Sequence, residues 1–297
     1  MGYKGSYKTV GRRTVRSSLP VQDEGLSALK NEAFYGRGLK EGLGRFLSRL
    51  STANCLGCGR RLEEHFRFCE ECLTEYERAK TWPCGVCGRE LSGCDCSSAY
   101  LYRGRVVRAA KLLHYHSGET QAVENRIIST LKRKDERVLF RFFAAEMEAS
   151  VRRLLPKEGE VVLTYIPRPR KRYAIYGFDQ AKRLAEALGE RLGVPMVRTL
   201  RRRRRVMAQK EQETMKARVE NAKRSFCYCA RGTLMGKTVL LVDDLITTGA
   251  TMVAAADILR KNGAKRIYAV ALATAIRHPN IRYEHAKNTH IPWYENR

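Results

Sequence analysis

No stretch of this 297-residue chain supplies the roughly 20 consecutive apolar residues that a membrane-spanning helix needs, which excludes membrane insertion by helices. The first thirty residues carry Arg12, Arg13 and Arg16 but no apolar block of signal-peptide length, so the expected location is cytoplasmic. Acidic residues are also scarce: 31 stand against 57 Lys and Arg, leaving a formal charge of +26. A surface this positive attracts phosphates and, at low salt, holds nucleic acid with little sequence preference. Apolar residues still make up 43%, enough to bury a core.

Disulfides are the next thing excluded. Eight of the ten cysteines crowd between Cys55 and Cys96 in a chain without an export signal, so metal binding is the better use for them. The spacing is Cys55-x-x-Cys58, Cys69-x-x-Cys72, Cys84-x-x-Cys87 and Cys94-x-Cys96. A Cys-x-x-Cys knuckle folds the backbone around a tetrahedral ion, and a following glycine eases the turn; Gly59 and Gly88 stand there. Cys55–Leu62 recurs 29 residues later as Cys84–Leu91, the mark of a duplicated unit. Local pairing puts Cys55, Cys58, Cys69 and Cys72 on one ion and Cys84, Cys87, Cys94 and Cys96 on the other. An interleaved pairing and His65 as a substitute ligand are the alternatives. Four thiolates per ion close the coordination shell, so two structural zinc ions are expected, ahead of a redox role or an iron–sulfur cluster. Cys227 and Cys229 lie far from this cluster and read as half-buried thiols in a strand.

Residues 1–50 hold ten basic and four acidic side chains without a sustained hydrophobic period, and read as a disordered arm with one short helix around Leu39–Leu50. Tyr100–Tyr115 places Val106, Val107, Ala110 and Leu113 at helical spacing, and Arg137–Leu155 is a second helical stretch. Val161–Ile166 is an apolar strand closed by Pro167, and Phe178–Leu192 an amphipathic helix ending at Gly193. Lys237–Val242 is another strand, Ala250–Lys261 a helix stopped by Asn262-Gly263, and Arg266–Thr274 a third strand. Alternating strands and helices, with strands apolar on both faces, predict a parallel α/β sheet whose ligands bind at the strand C-termini.

The most informative stretch is Val239-Leu-Leu-Val-Asp243-Asp244-Leu-Ile-Thr247-Thr248-Gly249-Ala250-Thr251. A buried strand emerges with two adjacent carboxylates, and a loop of small residues then leads to a helix N-terminus, whose open N–H groups and dipole favour an anion. Gly249 lets the backbone approach phosphate oxygens, and Thr247, Thr248 and Thr251 offer hydroxyl donors. Carboxylates repel a phosphate, so Asp243 and Asp244 must face hydroxyls or a divalent cation. A sugar phosphate satisfies both demands.

This run resembles the 5-phosphoribosyl 1-pyrophosphate (PRPP) motif of type I phosphoribosyltransferases. The resemblance implies that Asp243 and Asp244 hold the ribose hydroxyls, with Mg²⁺ accompanying PRPP, and that Thr247, Thr248, Gly249, Ala250 and Thr251 hold the 5′-phosphate. The wider order, a cysteine ribbon followed by Lys111-Leu-Leu-His-Tyr115, Ile166-Pro-Arg-Pro169, Tyr176-Gly-Phe-Asp-Gln-Ala181, Gln209, Arg218-x-x-Asn221 and this motif, is similar to that of the ComF family of competence-associated phosphoribosyltransferase-like proteins. It departs from the family at Tyr176 and Asp179, where Arg and Asn are usual, and at Tyr165-Ile-Pro167-Arg-Pro169, where Val-Pro-Val-Pro or similar is usual.

The expected fold is therefore a type I phosphoribosyltransferase-like parallel sheet flanked by helices and preceded by a small zinc ribbon. The expected domains are a basic arm at 1–50, a double zinc ribbon at 51–97, a phosphoribosyltransferase-like domain at 98–276 and a polar tail at 277–297. Arg168 and Arg172, in the loop after the first strand, are the expected pyrophosphate contacts. The relatives that salvage purines carry an acid at the position of Thr247, and threonine cannot serve there as a base. PRPP is then either transferred to an acceptor unlike a purine or bound without turnover, as in a sensor. Tyr165–Arg205 holds thirteen basic and three acidic residues, including Arg201–Arg205, which points to single-stranded nucleic acid with Tyr173 and Tyr176 available for stacking. The ComF resemblance implies single-stranded DNA handling in natural competence and contacts with competence-machinery proteins.

Overall fold

The structure is a computed structural model that describes residues 54–62, 67–117, 121–203, 222, 224–230 and 232–276. Contacts divide the chain at Ser51/Thr52, and every described residue belongs to the second unit. The expected basic arm with its helix, the polar tail, His65, Gln209, Arg218 and Asn221 lie outside the described residues.

Four parallel strands form the central sheet: β1 (Ala109–His116), β2 (Val161–Tyr165), β5 (Thr238–Ile246) and β6 (Arg266–Ile276), in the spatial order β1-β6-β5-β2. The two central strands alternate their apolar side chains between two separate cores. Leu240, Val242, Val270 and Leu272 pack on one face with helices α4 (Arg137–Arg152) and α6 (Gln180–Leu192). Val239, Leu241, Ala269 and Ala271 pack on the other with α7 (Ala250–Lys261). Burial on both faces explains why these strands read as unbroken apolar runs. Between β1 and α4 stands α3 (Val123–Leu131), and between β2 and α6 stands the short α5 (Arg170–Tyr176). A separate two-stranded antiparallel pair, β3 (Leu200–Arg202) with β4 (Phe226–Tyr228), packs Leu200 and Phe226 into the second of these cores.

The segment Tyr100–Tyr115 is not the expected helix. It holds a five-residue helix, α2 (Ala99–Arg103), stopped at Gly104 and Arg105, followed by β1. Arg105 takes a positive φ of 59°, a conformation incompatible with continuing a helix. Ala109–His116 then pairs residue for residue with Ala269–Ile276. Its side chains are buried on both faces, so the spacing of Val106, Val107, Ala110 and Leu113 matched a helical period only by coincidence. Two other differences are extensions: β5 runs on to Ile246 because it keeps pairing with β6 past Val242, and β6 runs on to Ile276 because its last residues pair with β1.

The cysteine-rich segment packs directly on this α/β unit. Helix α1 (Glu70–Thr81) begins right after Cys69 and lays Tyr76 against α4. There Tyr76 Oη donates to Glu146 Oε2 at 3.0 Å, and Lys80 Nζ to the same oxygen at 2.6 Å. Phe68 stacks on Tyr76 with ring centroids 4.9 Å apart, and Phe142 and Phe143 meet Tyr76 edge-on or tilted.

Candidate functional site: a carboxylate pair beside a glycine turn

The site arises where the sheet loses a strand. β2 ends at Tyr165, paired with Val242, and the last bond across this pair is Ile166 N–H to the Val242 carbonyl at 2.9 Å. Pro167 has no N–H with which to extend the ladder. β5 continues for four more residues, paired among the described residues only with β6. Asp243 and Asp244 are the first of these, so they face the space that β2 has vacated. This is the crevice beyond the strand C-termini where open α/β sheets bind ligands. Here it is a cavity of about 170 Å³ lined by Pro167, Arg168, Asp179, Gln180, Arg202, Asp243, Asp244 and Thr251 among others.

Successive strand residues point to opposite faces, so the two carboxylates have different neighbours. Asp244 turns toward α6 and α3: Gln180 Nε2 donates to its Oδ2 at 2.8 Å, and Lys132 Nζ lies 3.8 Å from the same atom. Asp243 Oδ1 accepts the Asp244 N–H at 2.9 Å. Burial and the adjacent Asp244 carboxylate hold the Asp243 carboxyl well above the usual range, and Asp179 adds to the same push. Asp179 is itself buried and caps α6, accepting the Arg168 N–H at 2.6 Å and the Lys182 N–H at 3.3 Å. Its pKa is raised chiefly by burial. Three carboxylates thus surround one small cavity. The buried Gln180 Oε1, beside Asp244, has no hydrogen-bond donor among the described residues. Such a wall is built to receive hydroxyl donors, and its hard oxygens suit Mg²⁺.

Beyond the carboxylates, Thr247–Gly249 turns the chain into α7. Gly249 caps the helix at φ 79°, a left-handed conformation that glycine adopts without strain. The Thr248 hydroxyl accepts the Ala250 N–H at 3.2 Å, so this amide is already spent. Helix geometry leaves the Thr251 and Met252 N–H groups without intrahelical acceptors. Gly249 and Ala250 are buried, Thr247 is exposed, and Thr251 faces the cavity.

Of the two expected arginine contacts, Arg168 lines the cavity and Arg172 does not. Arg168 is buried, but its guanidinium donates to the Phe178 carbonyl at 3.1 Å and the Lys132 carbonyl at 2.9 Å and stacks over the Tyr176 ring at 4.4 Å. These contacts pin the turn that follows β2. Arg172 is exposed on α5 and does not line the cavity, because Arg170–Tyr176 is a helix and not an extended loop. The cation that does line it together with Arg168 is Arg202. Its Nε donates to the Pro167 carbonyl at 2.7 Å, its guanidinium lies 4.7 Å over Phe226, and Asp243 and Asp179 are close enough to counteract the lowering of its pKa by burial. In the sequence Arg202 is one of five consecutive arginines, Gln180 and Asp179 belong to a motif that gives them no role, and nothing local marks Lys132.

The cysteines form two groups, Cys55, Cys58, Cys69, Cys72 and Cys84, Cys87, Cys94, Cys96, each with its ligand atoms within 4.8 Å of one another. A tetrahedral ion with Zn–S bonds of about 2.3 Å sets its ligands about 3.8 Å apart. Cys69 Sγ lies 3.7 Å from both Cys55 Sγ and Cys58 Sγ, close to that edge, and the second group is tighter, at 3.2 to 3.5 Å. None of these separations is a disulfide bond. Gly59 and Gly88 adopt φ of 77° and 71° after their knuckles. Both groups can hold a metal ion. Cys227 and Cys229 are half-buried in and just after β4.

Residues 177–295, which include β5, the carboxylate pair, the glycine turn and β6, match the sequence family described as the phosphoribosyl transferase domain. The match begins after β2, so the first half of the sheet and both cysteine groups lie outside it. Among individual proteins, the ribose-phosphate pyrophosphokinase of Thermococcus kodakarensis is 67% identical over 36 residues, covering 12% of this chain and 13% of that enzyme. Among solved structures, an allosteric regulatory enzyme of purine biosynthesis superimposes with TM-score 0.30 and 22% identity over 49% of this chain and 26% of its own. A hypoxanthine phosphoribosyltransferase from Staphylococcus aureus does so with TM-score 0.30 and 11% identity over 46% of this chain and 62% of its own.

Proposed function

We propose that this chain binds PRPP with Mg²⁺ in the cavity at the end of β5. The observation that carries the reading is the carboxylate pair Asp243–Asp244, set where β2 has ended and followed directly by the Gly249 turn into α7. In this reading the Asp243 and Asp244 carboxylates take the ribose hydroxyls and the cation, and Gln180 Oε1 takes a further hydroxyl. The turn from Thr247 to Thr251 takes the 5′-phosphate at the helix N-terminus. Arg202 supplies the positive charge for the pyrophosphate, with Arg168 holding the adjoining turn. The phosphoribosyl transferase domain match supports the assignment, as do the short matches to proteins named for ribose-phosphate chemistry. The two cysteine groups hold structural zinc.

Displacing pyrophosphate from the anomeric carbon passes through a cation-like transition state, so catalysis rests mainly on Mg²⁺ and positioned charge. A group able to deprotonate an acceptor is missing at Thr247. Equilibrium dialysis against labelled PRPP tests the reading: Mg²⁺-dependent retention, competed by ribose 5-phosphate, is the expected result, and retention unaffected by either is the contrary one. Pyrophosphate release during the same incubation separates a transferase from a sensor.

A specific surface favours a second role beside this one. Helix α5 buries none of its residues, and it displays Arg170, Lys171 and Arg172 with Tyr173 and Ile175, 52% and 67% exposed, next to the cavity mouth. Basic and apolar side chains interleaved on one exposed helix suit single-stranded DNA, in line with the ComF resemblance, a place in natural competence and a cytoplasmic setting alongside its machinery. One face of the Tyr176 ring is covered by Arg168, which leaves Tyr173 the more open ring for stacking bases. Fluorescence anisotropy with labelled oligothymidine tests this: binding should weaken at least tenfold in R170A/K171A/R172A/Y173A and fall steeply with salt. Equal affinity in that variant counts against the role.

A further inference from the structure

The segment joining the second cysteine group to β1 is pinned at both ends. Its base is the ligand pair Cys94 and Cys96. Cys96 bridges Arg108 in antiparallel fashion, the Ala109 N–H donates to the Asp95 carbonyl at 2.9 Å, and the Arg108 guanidinium grips the Asp95 carboxylate, Nε to Oδ2 being 3.0 Å. Buried Lys111, on β1, donates through Nζ to Cys94 Sγ at 3.2 Å and to the Cys96 carbonyl at 2.7 Å. The ligand pair is thereby part of the sheet edge.

The tip of the same segment is α2, capped by Ser98, and it rests on the glycine turn. A Cβ at Gly249 would lie 3.0 Å from Leu101 Cδ2 and 3.2 Å from Tyr100 Cδ1, so α2 touches the backbone of the turn itself. One helical turn further on, a Cβ at Gly104 would overlap Val253, and the Arg260 guanidinium reaches back to the Gly104 carbonyl. Leu101 is 3% exposed and joins the core formed by Ile246, Met252 and Ala255.

We infer that the Cys84/Cys87/Cys94/Cys96 site and the Thr247–Thr251 turn form one mechanical unit, in which a metal ion at the cysteines fixes α2 and α2 fixes the turn. Leu101 and Tyr100 are the positioning residues. Four thiolates crowded within 4.8 Å, with one lysine against them, repel one another unless an ion draws them together. Opening the base of the segment lifts its tip from Gly249, and the turn loses the wall that holds its left-handed conformation. The first cysteine group has no such reach: it packs through α1 on α4, on the other face of the sheet.

The ligand-independent test is amide hydrogen exchange in the full-length, zinc-loaded protein. Exchange of residues 247–253 should rise at least tenfold in Cys96→Ser, whereas Cys58→Ser, at the first group, should leave it unchanged. Leu101→Ala, which keeps every cysteine, should give the same rise with two zinc ions still bound, and Leu101→Met should restore protection. Unchanged exchange at 247–253 in both Cys96→Ser and Leu101→Ala overturns the inference, as does an equal rise in Cys58→Ser. Its consequence for ligand, at least a tenfold weaker affinity for PRPP in Leu101→Ala, rests on the function proposed above. If the wild-type protein retains no PRPP while the exchange pattern holds, that function fails and the coupling stands.

Discussion

Replacing Gly249 by alanine tests the geometry of the turn with one methyl group. The residue sits at φ 79°, where an L-residue with a Cβ costs about 1–2 kcal/mol. The new carbon would also meet Leu101 Cδ2 at 3.0 Å and Tyr100 Cδ1 at 3.2 Å, closer than ordinary contact, and overpacking of this kind costs about 1–3 kcal/mol. Together these predict a loss of about 2–5 kcal/mol, which for a domain of this size lowers the melting temperature by about 4–20 °C. The turn relieves the crowding by shifting away from α2 and so carries the amides at the start of α7 out of place. Losing one hydrogen bond to a charged phosphate costs about 1.5–3 kcal/mol, a roughly ten- to hundredfold fall in affinity. Differential scanning calorimetry and a PRPP titration read the two effects separately. A melting temperature within about 1 °C of wild type, together with undiminished affinity, would refute both the left-handed turn and its contact with α2.

Three further outcomes follow from the same contacts. Asp243 has a carboxyl pKa raised by burial and by Asp244, so the folded protein keeps this proton at pH values where the unfolded chain has released it. Its contribution to stability is complete below the ordinary carboxyl pKa and is lost as pH rises through the folded-state value, so Asp243→Asn should gain in melting temperature relative to wild type from pH 4 to pH 8; a flat or falling difference contradicts this. Glu146→Ala removes the acceptor shared by Tyr76 Oη and Lys80 Nζ and should cost about 1–3 kcal/mol in urea denaturation, with a value near zero meaning that this contact does not hold α1 to α4. The purified protein should carry two zinc ions, and stripping them should unfold the segment from Asn54 to Cys96, since each structural zinc contributes on the order of 10 kcal/mol; unchanged near-ultraviolet circular dichroism after chelation would argue against structural sites.

What the sequence makes legible follows the range of the interactions that decide it. β5, α7 and β6 are marked locally, by an apolar run, a small-residue turn and a helix closed by Asn262-Gly263, and each lies where its residues indicate. The two cysteine groups are likewise local, because knuckle spacing sets which sulfurs can meet. β1 is not legible, because Val106, Val107, Ala110 and Leu113 satisfy a helical period, while the decisive fact, pairing with Ala269–Ile276, involves residues some 160 positions away. The cavity wall fails for a related reason. Gln180 and Arg202, which line it, and Lys132, which reaches Asp244 from behind, come from three separate elements and meet only in the folded chain. A run of positive charge also says nothing about where each guanidinium goes: Arg168 is held by main-chain carbonyls and a tyrosine ring, Arg172 stands exposed on α5, and Arg202 lines the cavity with its Nε on the Pro167 carbonyl.

The most direct test of a ribosyl phosphate held at the end of β5 is a calorimetric titration of PRPP in the presence of Mg²⁺, performed on the wild-type chain and on D243N/D244N. The account predicts one saturable site per chain in the wild type and at least a hundredfold weaker binding in the double variant. Equal heats from the two proteins, or none from the wild type, would contradict it.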